Sequence, residues 1–258
     1  MNFSIKLLKR YILLFFKDYI IFKDPAVPII YKLKGIQGLT FLFLKRTLGL
    51  KEIEIKKFLN DLYSDDDFIN YIRNSLKGKY IGQFLAPEVL YILVRATKPN
   101  KVVETGVAAG VSSAFILKGL EDNNQGMLYS IDLPNYEIEL AKKGLMKTPI
   151  SIIPEGLEVG FAIPPYLKNR WRLFLGKSSE ILPKILEELK EIDMFFHDSE
   201  HSYSNMMFEY EISYKHLKEG GLLLSDDIFW NKAFFDFAKK INRRAIPHYV
   251  IQLGAIIK

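Results

Sequence analysis

From about residue 80 onward, short apolar runs recur at 101–105, 127–131, 171–175, 192–197 and 221–225. They are nearly continuous in Val, Ile, Leu, Met and Phe rather than alternating with polar residues. Between them lie segments of helical period near 111–121, 136–146, 179–190, 204–218 and 231–242. Apolar strands of this length, each followed by a helix, build a parallel sheet covered on both faces. The pattern predicts a doubly wound α/β domain over 81–258, with one or two last strands in 249–257. Pro87 suits the first turn of a helix running to about Thr97. Residues 1–80 read differently, as a helical, partly irregular N-terminal extension. Within them Lys6, Lys9, Arg10 and Lys17 share one side of a helical wheel. Leu8, Tyr11, Ile12, Phe15, Tyr19 and Phe22 share the other. The 25–28 prolines are expected to end that helix, with Gly35, Gly38 and Gly49 as punctuation. Ser64 and Asp65 are candidate caps of a helix through Leu76.

Composition narrows the class. With 258 residues, 49% hydrophobic and 26% charged, the chain is globular in type. It has no cysteine, which excludes disulfides, zinc–thiolate sites and thiol catalysis. Its net charge of +6 suggests an acidic partner, but the excess is local. Residues 1–57 hold 12 Lys/Arg against 4 Asp/Glu, and residues 58–258 hold 24 against 26. The α/β body is therefore not basic, which points away from nucleic acid. The basic amphipathic segment 1–30 suits packing on the domain, a second subunit in a homo-oligomer, or an anionic membrane surface. No run reaches the ~18 apolar residues of a spanning helix. The expected location is cytoplasmic, with peripheral contact at the inner membrane face as the sharper form.

Ligands of such sheets bind at the carboxyl ends of the strands. The first strand ends in Glu104-Thr105-Gly106-Val107-Ala108-Ala109-Gly110-Val111-Ser112. Glycines there allow a tight turn and close approach of a ligand. The spacing is Gly-x-x-x-Gly, not the Gly-x-Gly-x-x-Gly of dinucleotide binders. The second strand ends at Asp132, where a carboxylate can accept ribose hydroxyls. Together these point to a nucleoside cradle. The fourth strand ends in His197-Asp198-Ser199-Glu200-His201, and the fifth in Ser225-Asp226-Asp227. Neighbouring strands would bring Asp198, Asp226 and Asp227 together. Clustered carboxylates repel, and a hard divalent cation such as Mg²⁺ or Ca²⁺ relieves this.

The glycine turn resembles that of class I S-adenosylmethionine-dependent methyltransferases, which implies a seven-stranded Rossmann-like sheet. The resemblance assigns Glu104, Gly106 and Gly110 to the cofactor's methionine part and Asp132 to its ribose. Ser112 would add a contact, and Ser178, in Gly176-Lys177-Ser178-Ser179, would lie at adenine. The carboxylates resemble the metal set of catechol- and caffeoyl-type O-methyltransferases, which implies Asp198, Asp226 and Asp227 as ligands. Where the catechol type has a lysine base, this chain has His201, and neutral histidine can accept a proton near pH 7. Asp-Ser-x-His-Ser-Tyr at 198–203, 206–211, Gly-Gly-Leu-Leu-Leu-Ser-Asp-Asp at 220–227 and Trp230-Asn231 are similar to the methyltransferase family 24 group. The resemblance covers roughly 80–258.

What it implies is in-line transfer of a methyl group to a hydroxyl of a small molecule, such as a sugar, glycolipid or natural product. Asp198, Asp226 and Asp227 would hold the metal and His201 would take the proton. The segment 150–170 is expected to wall or cover the pocket, fixed by Arg170 and Trp171. Alternatives are a catalytically inactive cofactor-binding or interaction protein, an RNA methyltransferase, and an NAD-dependent oxidoreductase. Plainer roles exist for single residues: helix caps for Ser178, His201, Asp226 or Asp227, solvent for Glu200, packing for His197, His216 and His248.

Overall fold

Largely apolar parallel strands must be covered on both faces, and the chain does this with two sets of helices. A computed structural model of the protein describes residues 26–79, 84–144 and 153–258. The amphipathic segment before residue 26, with its expected membrane contact, lies outside the described residues.

The sheet has seven strands: β1 (Lys101–Thr105), β2 (Met127–Asp132), β3 (Trp171–Leu175), β4 (Ile192–His197), β5 (Leu217–Ser225), β6 (Ile246–Pro247) and β7 (Gly254–Ile257). Their spatial order is β3-β2-β1-β4-β5-β7-β6. The first five are mutually parallel, and β7 runs antiparallel to β5. The order reverses between β1 and β4, so the ends of those two strands open the crevice where such folds bind ligands.

Period-two alternation sends Val102, Met194, Phe196, Leu222 and Leu224 to one face and Val103, Phe195, Leu223 and Ile256 to the other. The first face is covered by α4 (Pro87–Thr97) and α5 (Val111–Asp122). The second is covered by α7 (Ser178–Leu189), α8 (Tyr203–His216) and α9 (Ala233–Lys240). A short α6 (Tyr136–Lys142) follows β2. Three helices precede this unit: α1 (Ala26–Leu48), α2 (Glu52–Tyr63) and α3 (Asp66–Leu76). Their Phe43, Leu44, Ile55, Leu62 and Phe68 are buried in the same cluster as α4 and α5. Each such side chain contributes about 1.5–3 kcal/mol by leaving water.

Asp65 caps α3, accepting from the Phe68 amide at 2.9 Å, and Pro87 opens α4. Three sequence expectations shift. Gly38 does not interrupt α1, and Gly35 (φ 60°, ψ −153°) kinks it. The fifth strand starts at Leu217, with exposed Lys218–Gly220 at an irregularity of its register with β4 that the apolar pattern does not show. One of the two final strands, Ile246–Pro247, precedes the expected tail.

Candidate active site

The turn after β1 is shaped by backbone that ordinary residues adopt at a cost. Gly106 has φ 87°, Ala108 47° and Gly110 86°. A Cβ on Gly106 would collide with the carbonyl of Asp198, and one on Gly110 would press on Gly160 and Ile163. The sequence predicts these glycines for ligand approach. The structure adds that they also let two protein segments approach the turn.

Asp132 closes the turn from the next strand. Its Oδ2 accepts the amides of Val107 (2.7 Å) and Ala108 (2.9 Å). Burial raises its pKa, although those two amides favour the charged form. Glu104, which the resemblance assigns to the methionine part of a cofactor, is fully buried. Its carboxylate lies buried between β1, β2 and α5, taking hydroxyls from Ser112 (2.7 Å), Ser113 (2.6 Å) and Ser130 (2.8 Å). Ser112 is thereby engaged with Glu104. Both act as scaffold for the turn. Burial raises Glu104 to about 7 against the opposing pull of the three hydroxyls.

This shift has a thermodynamic signature. An ordinary glutamate loses its proton near 4.5, while folded Glu104 holds it to about 7. Between these values the folded state binds more protons than the unfolded one, so this residue's contribution to stability falls as pH rises. A Glu104→Gln variant should gain stability relative to wild type between pH 5 and 8, by on the order of 3 kcal/mol. Chemical denaturation across that pH range measures it. A difference independent of pH would refute the raised value.

The segment 153–170 leans on the turn. Gly160 and Ala162 donate their amides to the carbonyls of Ala108 and Ala109, both at 2.9 Å. Arg170 is fixed by Glu121 (2.6 Å) and Asn124 (2.9 Å), and Trp171 donates to Ser130 (2.9 Å). With residues after β2 and on β3 it encloses a largely apolar cleft of about 500 Å³, lined by Pro134, Leu157, Val159, Trp171 and Leu173. Ser178, expected at adenine, opens α7 as its first residue, the cap position being Lys177. Its hydroxyl faces Asn205 at 3.5 Å.

At the ends of β4 and β5, Asp198 and Asp226 stand within hydrogen-bonding reach of each other. Burial, then the neighbouring carboxylates, push Asp198 well above the usual carboxylate range, and burial and Asp227 do the same to Asp226. Asp227 is raised by burial, with His197 opposing. Two carboxyls this close share a proton when no cation separates them. Asp227 adopts φ 49° and leads into a turn closed by Trp230. Among the described residues, no three such side chains are gathered into a ready ligand set. The expected trio is therefore adjacent but not pre-arranged. Its donors, all hard oxygens with raised pKa values, fit a divalent cation by chemistry.

The capping roles go to other residues. Ser202 caps α8, and Asn231 Oδ1 accepts the Ala233 amide at 2.7 Å at the start of α9. His201 sits edge-on to His197 (5.2 Å) and beside Trp230 (6.2 Å), which is 70% exposed. Its Nε2 is buried and has no hydrogen-bond partner among the described residues. Burial, helped by His197, lowers its pKa to about 3, so the ring is neutral at pH 7 but a weak base. His216 bonds the Lys190 carbonyl, and buried His248 contacts Thr40 at 3.1 Å, as packing residues do.

One residue escaped the sequence reading. Glu209 is fully buried on α8, bonded to Thr105, His197, Ser199 and Asn205. Its signal was present: Met206, Tyr210 and Ser213 form a buried face on which Glu209 falls at helical spacing.

Residues 103–228 match the family model described as a methyltransferase domain, the methyltransferase family 24 group. This segment is similar to that family's methyltransferase domain. The match contains Glu104, the glycine turn, Asp132, Ser178 and all three aspartates. A Mycolicibacterium smegmatis protein, named provisionally as an O-methyltransferase, is 29% identical over 112 residues, 43% of this chain and 44% of that one. A similarly named protein of Mycobacterium sp. strain JLS is 28% identical over the same length. The chain thus matches less than half the length of these curated relatives. The domain's fold is shared with the SAH-bound methyltransferase PaMTH1 of Podospora anserina, at 13% identity and a TM-score of 0.51, over 81% of this chain and 96% of that one. A Geobacter sulfurreducens methyltransferase gives 16% identity and 0.51, over 80% and 96%. Among the described residues, no helix is long and apolar enough to cross a membrane.

Proposed function

We propose that the protein is an S-adenosylmethionine-dependent O-methyltransferase acting on a small hydroxyl-bearing molecule, assisted by a divalent cation, with Mg²⁺ the best match to the donors. The carrying observation is the contact of Gly106 with the Asp198 backbone. It makes the glycine turn and the carboxylate cluster two walls of one crevice. A cofactor held by the first would face an acceptor held by the second. The family match and the names of the relatives support the same reading.

The cofactor, when bound, supplies an electrophilic methyl group on a sulfonium. Gly106 and Gly110 give the turn its close approach, and Asp132 would offer Oδ1 to the ribose while Oδ2 holds the turn. A divalent cation, when bound, supplies charge that acidifies and aligns a hydroxyl. Asp198, Asp226 and Asp227 would hold it. His201 would accept the proton. Burial keeps the ring neutral at pH 7, the form that can accept a proton. Exposed Trp230, next to His201, offers a flat apolar surface to the acceptor.

Calorimetric titration of the full chain with S-adenosylmethionine tests the reading. Binding is expected, with no heat from NAD. In the Asp132→Ala variant affinity should fall roughly 10- to 100-fold, the worth of a charge-assisted hydrogen bond. Binding of NAD in place of S-adenosylmethionine would overturn the assignment. Binding without turnover of any model alcohol would favour a cofactor-binding protein.

A further inference from the structure

We propose that Glu209 is a positioning residue that sets where the Asp198 and Asp226 carboxylates stand. The proposal rests on reading those aspartates as cation ligands. Its basis is a network that links one buried carboxylate to both of them through the backbone.

Glu209 makes no contact with the crevice surface, being fully buried within α8's inner face. Its Oε2 accepts from the Thr105 hydroxyl at 2.5 Å and from His197 Nδ1 at 2.7 Å. Its Oε1 accepts from the Ser199 hydroxyl at 2.8 Å and Asn205 Nδ2 at 3.1 Å. The first two partners matter most. The Thr105 carbonyl accepts the amide of Asp198, and the His197 carbonyl accepts the amide of Asp226, both at 2.8 Å. Glu209 therefore grips the side chains of the two residues whose main chain seats the two aspartates. Its other partners hold the next stretch. Ser199 follows Asp198 directly, and Asn205 Nδ2 also reaches the Glu200 carbonyl at 2.9 Å.

A buried carboxylate is costly unless its hydrogen bonds are filled. Here four donors from β1, β4, the loop 198–202 and α8 converge on it. A core that needed only volume would carry an apolar residue at this position, as it does at Met206. An anion that takes four donors does something a leucine cannot: it fixes the relative height of the ends of β1 and β4. It also orients the loop that carries His201. Partners of this kind around metal ligands typically change metal affinity 10- to 100-fold when altered.

The test uses the full chain with Glu209→Gln and, separately, Thr105→Val. Glutamine keeps the shape but turns one acceptor into a donor, so two of the four donors lose their match. Mn²⁺ binding by calorimetry and electron paramagnetic resonance, S-adenosylmethionine binding, and hydrogen exchange of 197–202 and 226–227 are read on each protein. The expected result is Mn²⁺ affinity about 10- to 100-fold weaker in Glu209→Gln and several-fold weaker in Thr105→Val. Cofactor affinity should be unchanged and exchange faster only in those two segments. Wild-type Mn²⁺ affinity in Glu209→Gln would overturn the proposal. So would parallel loss of cofactor and Mn²⁺ binding in both variants, since that marks a general scaffold. If the wild-type protein takes up no Mn²⁺, the cation reading falls. The exchange data then decide on Glu209 alone, and unchanged protection of 197–202 overturns its role. Should Glu209→Gln not fold, Thr105→Val carries the same comparison.

Discussion

Asp198→Ala is expected to abolish divalent-cation binding and to lower methyl transfer by roughly a thousandfold, about 4 kcal/mol of activation free energy. The expectation has a second half that separates it from simple damage. Asp198 and Asp226 raise each other's pKa in a buried setting, a repulsive arrangement that costs stability while both are charged. Removing Asp198 relieves Asp226. The metal-free variant should therefore unfold at the same temperature as wild type or higher, while its function is lost. Stability surrendered for activity is the mark of a functional cluster rather than a packing one. Cofactor affinity should persist, because Asp132 and the glycine turn are untouched. Calorimetry with Mn²⁺, turnover of a model alcohol and thermal unfolding measure the three quantities. Wild-type Mn²⁺ affinity in the variant would remove Asp198 from the ligand set.

Gly106→Ala should be the most damaging single methyl group in the crevice. At φ 87° an alanine is strained, and its Cβ would overlap the main chain of Asp198, which has no rotamer by which to give way. Strain of about 1–3 kcal/mol and overpacking of a similar size add to a loss near 3–5 kcal/mol. The turn and the β4 end must separate, so cofactor and cation binding should weaken together. Thermal unfolding and both titrations read the effect. An alanine variant with wild-type melting temperature and both affinities intact would show that the contact between the two walls is not needed. Gly78, also at positive φ but with open space around it, serves as the control, and alanine there should leave both titrations unchanged.

The elements that were legible in the sequence share a physical cause. Central strands covered on both faces are largely apolar, so β1 and β4 were bounded to the residue by their apolar runs, and β3 at the sheet edge was bounded by the same kind of run. Glycines at 106 and 110 and carboxylates after β2, β4 and β5 were visible because strand ends are where this sheet leaves room for ligands. The exposed half of β5 was not visible. Lys218, Glu219 and Gly220 lie exposed at an irregularity of the β4–β5 register, so no apolar pattern marks them. Gly38 was misread because a glycine inside a well-packed helix is tolerated when its neighbours cover it.

Side-chain direction was the harder problem. Glu104 and Asp132 look alike in sequence, each an acid at a strand end. Parity along β1 turns Glu104 inward to three serine hydroxyls, while Asp132, the last residue of β2, reaches the turn amides. Glu209 lies 11 residues after Asp198 and 17 before Asp226, yet its partners come from β1, β4 and the loop after β4.

The sequence by itself determined the α/β sheet, the glycine turn and which carboxylates end which strands, because hydrophobic period and strand-end chemistry are local. Only the tertiary structure decided that Glu104 and Ser112 face inward and that His201 is buried and weakly basic. It alone decided that Asp198 and Asp226 pair, and that Glu209 holds their main chain. Those properties depend on which atoms from distant segments exclude water together, and burial sets both the direction of a side chain and the charge it can carry.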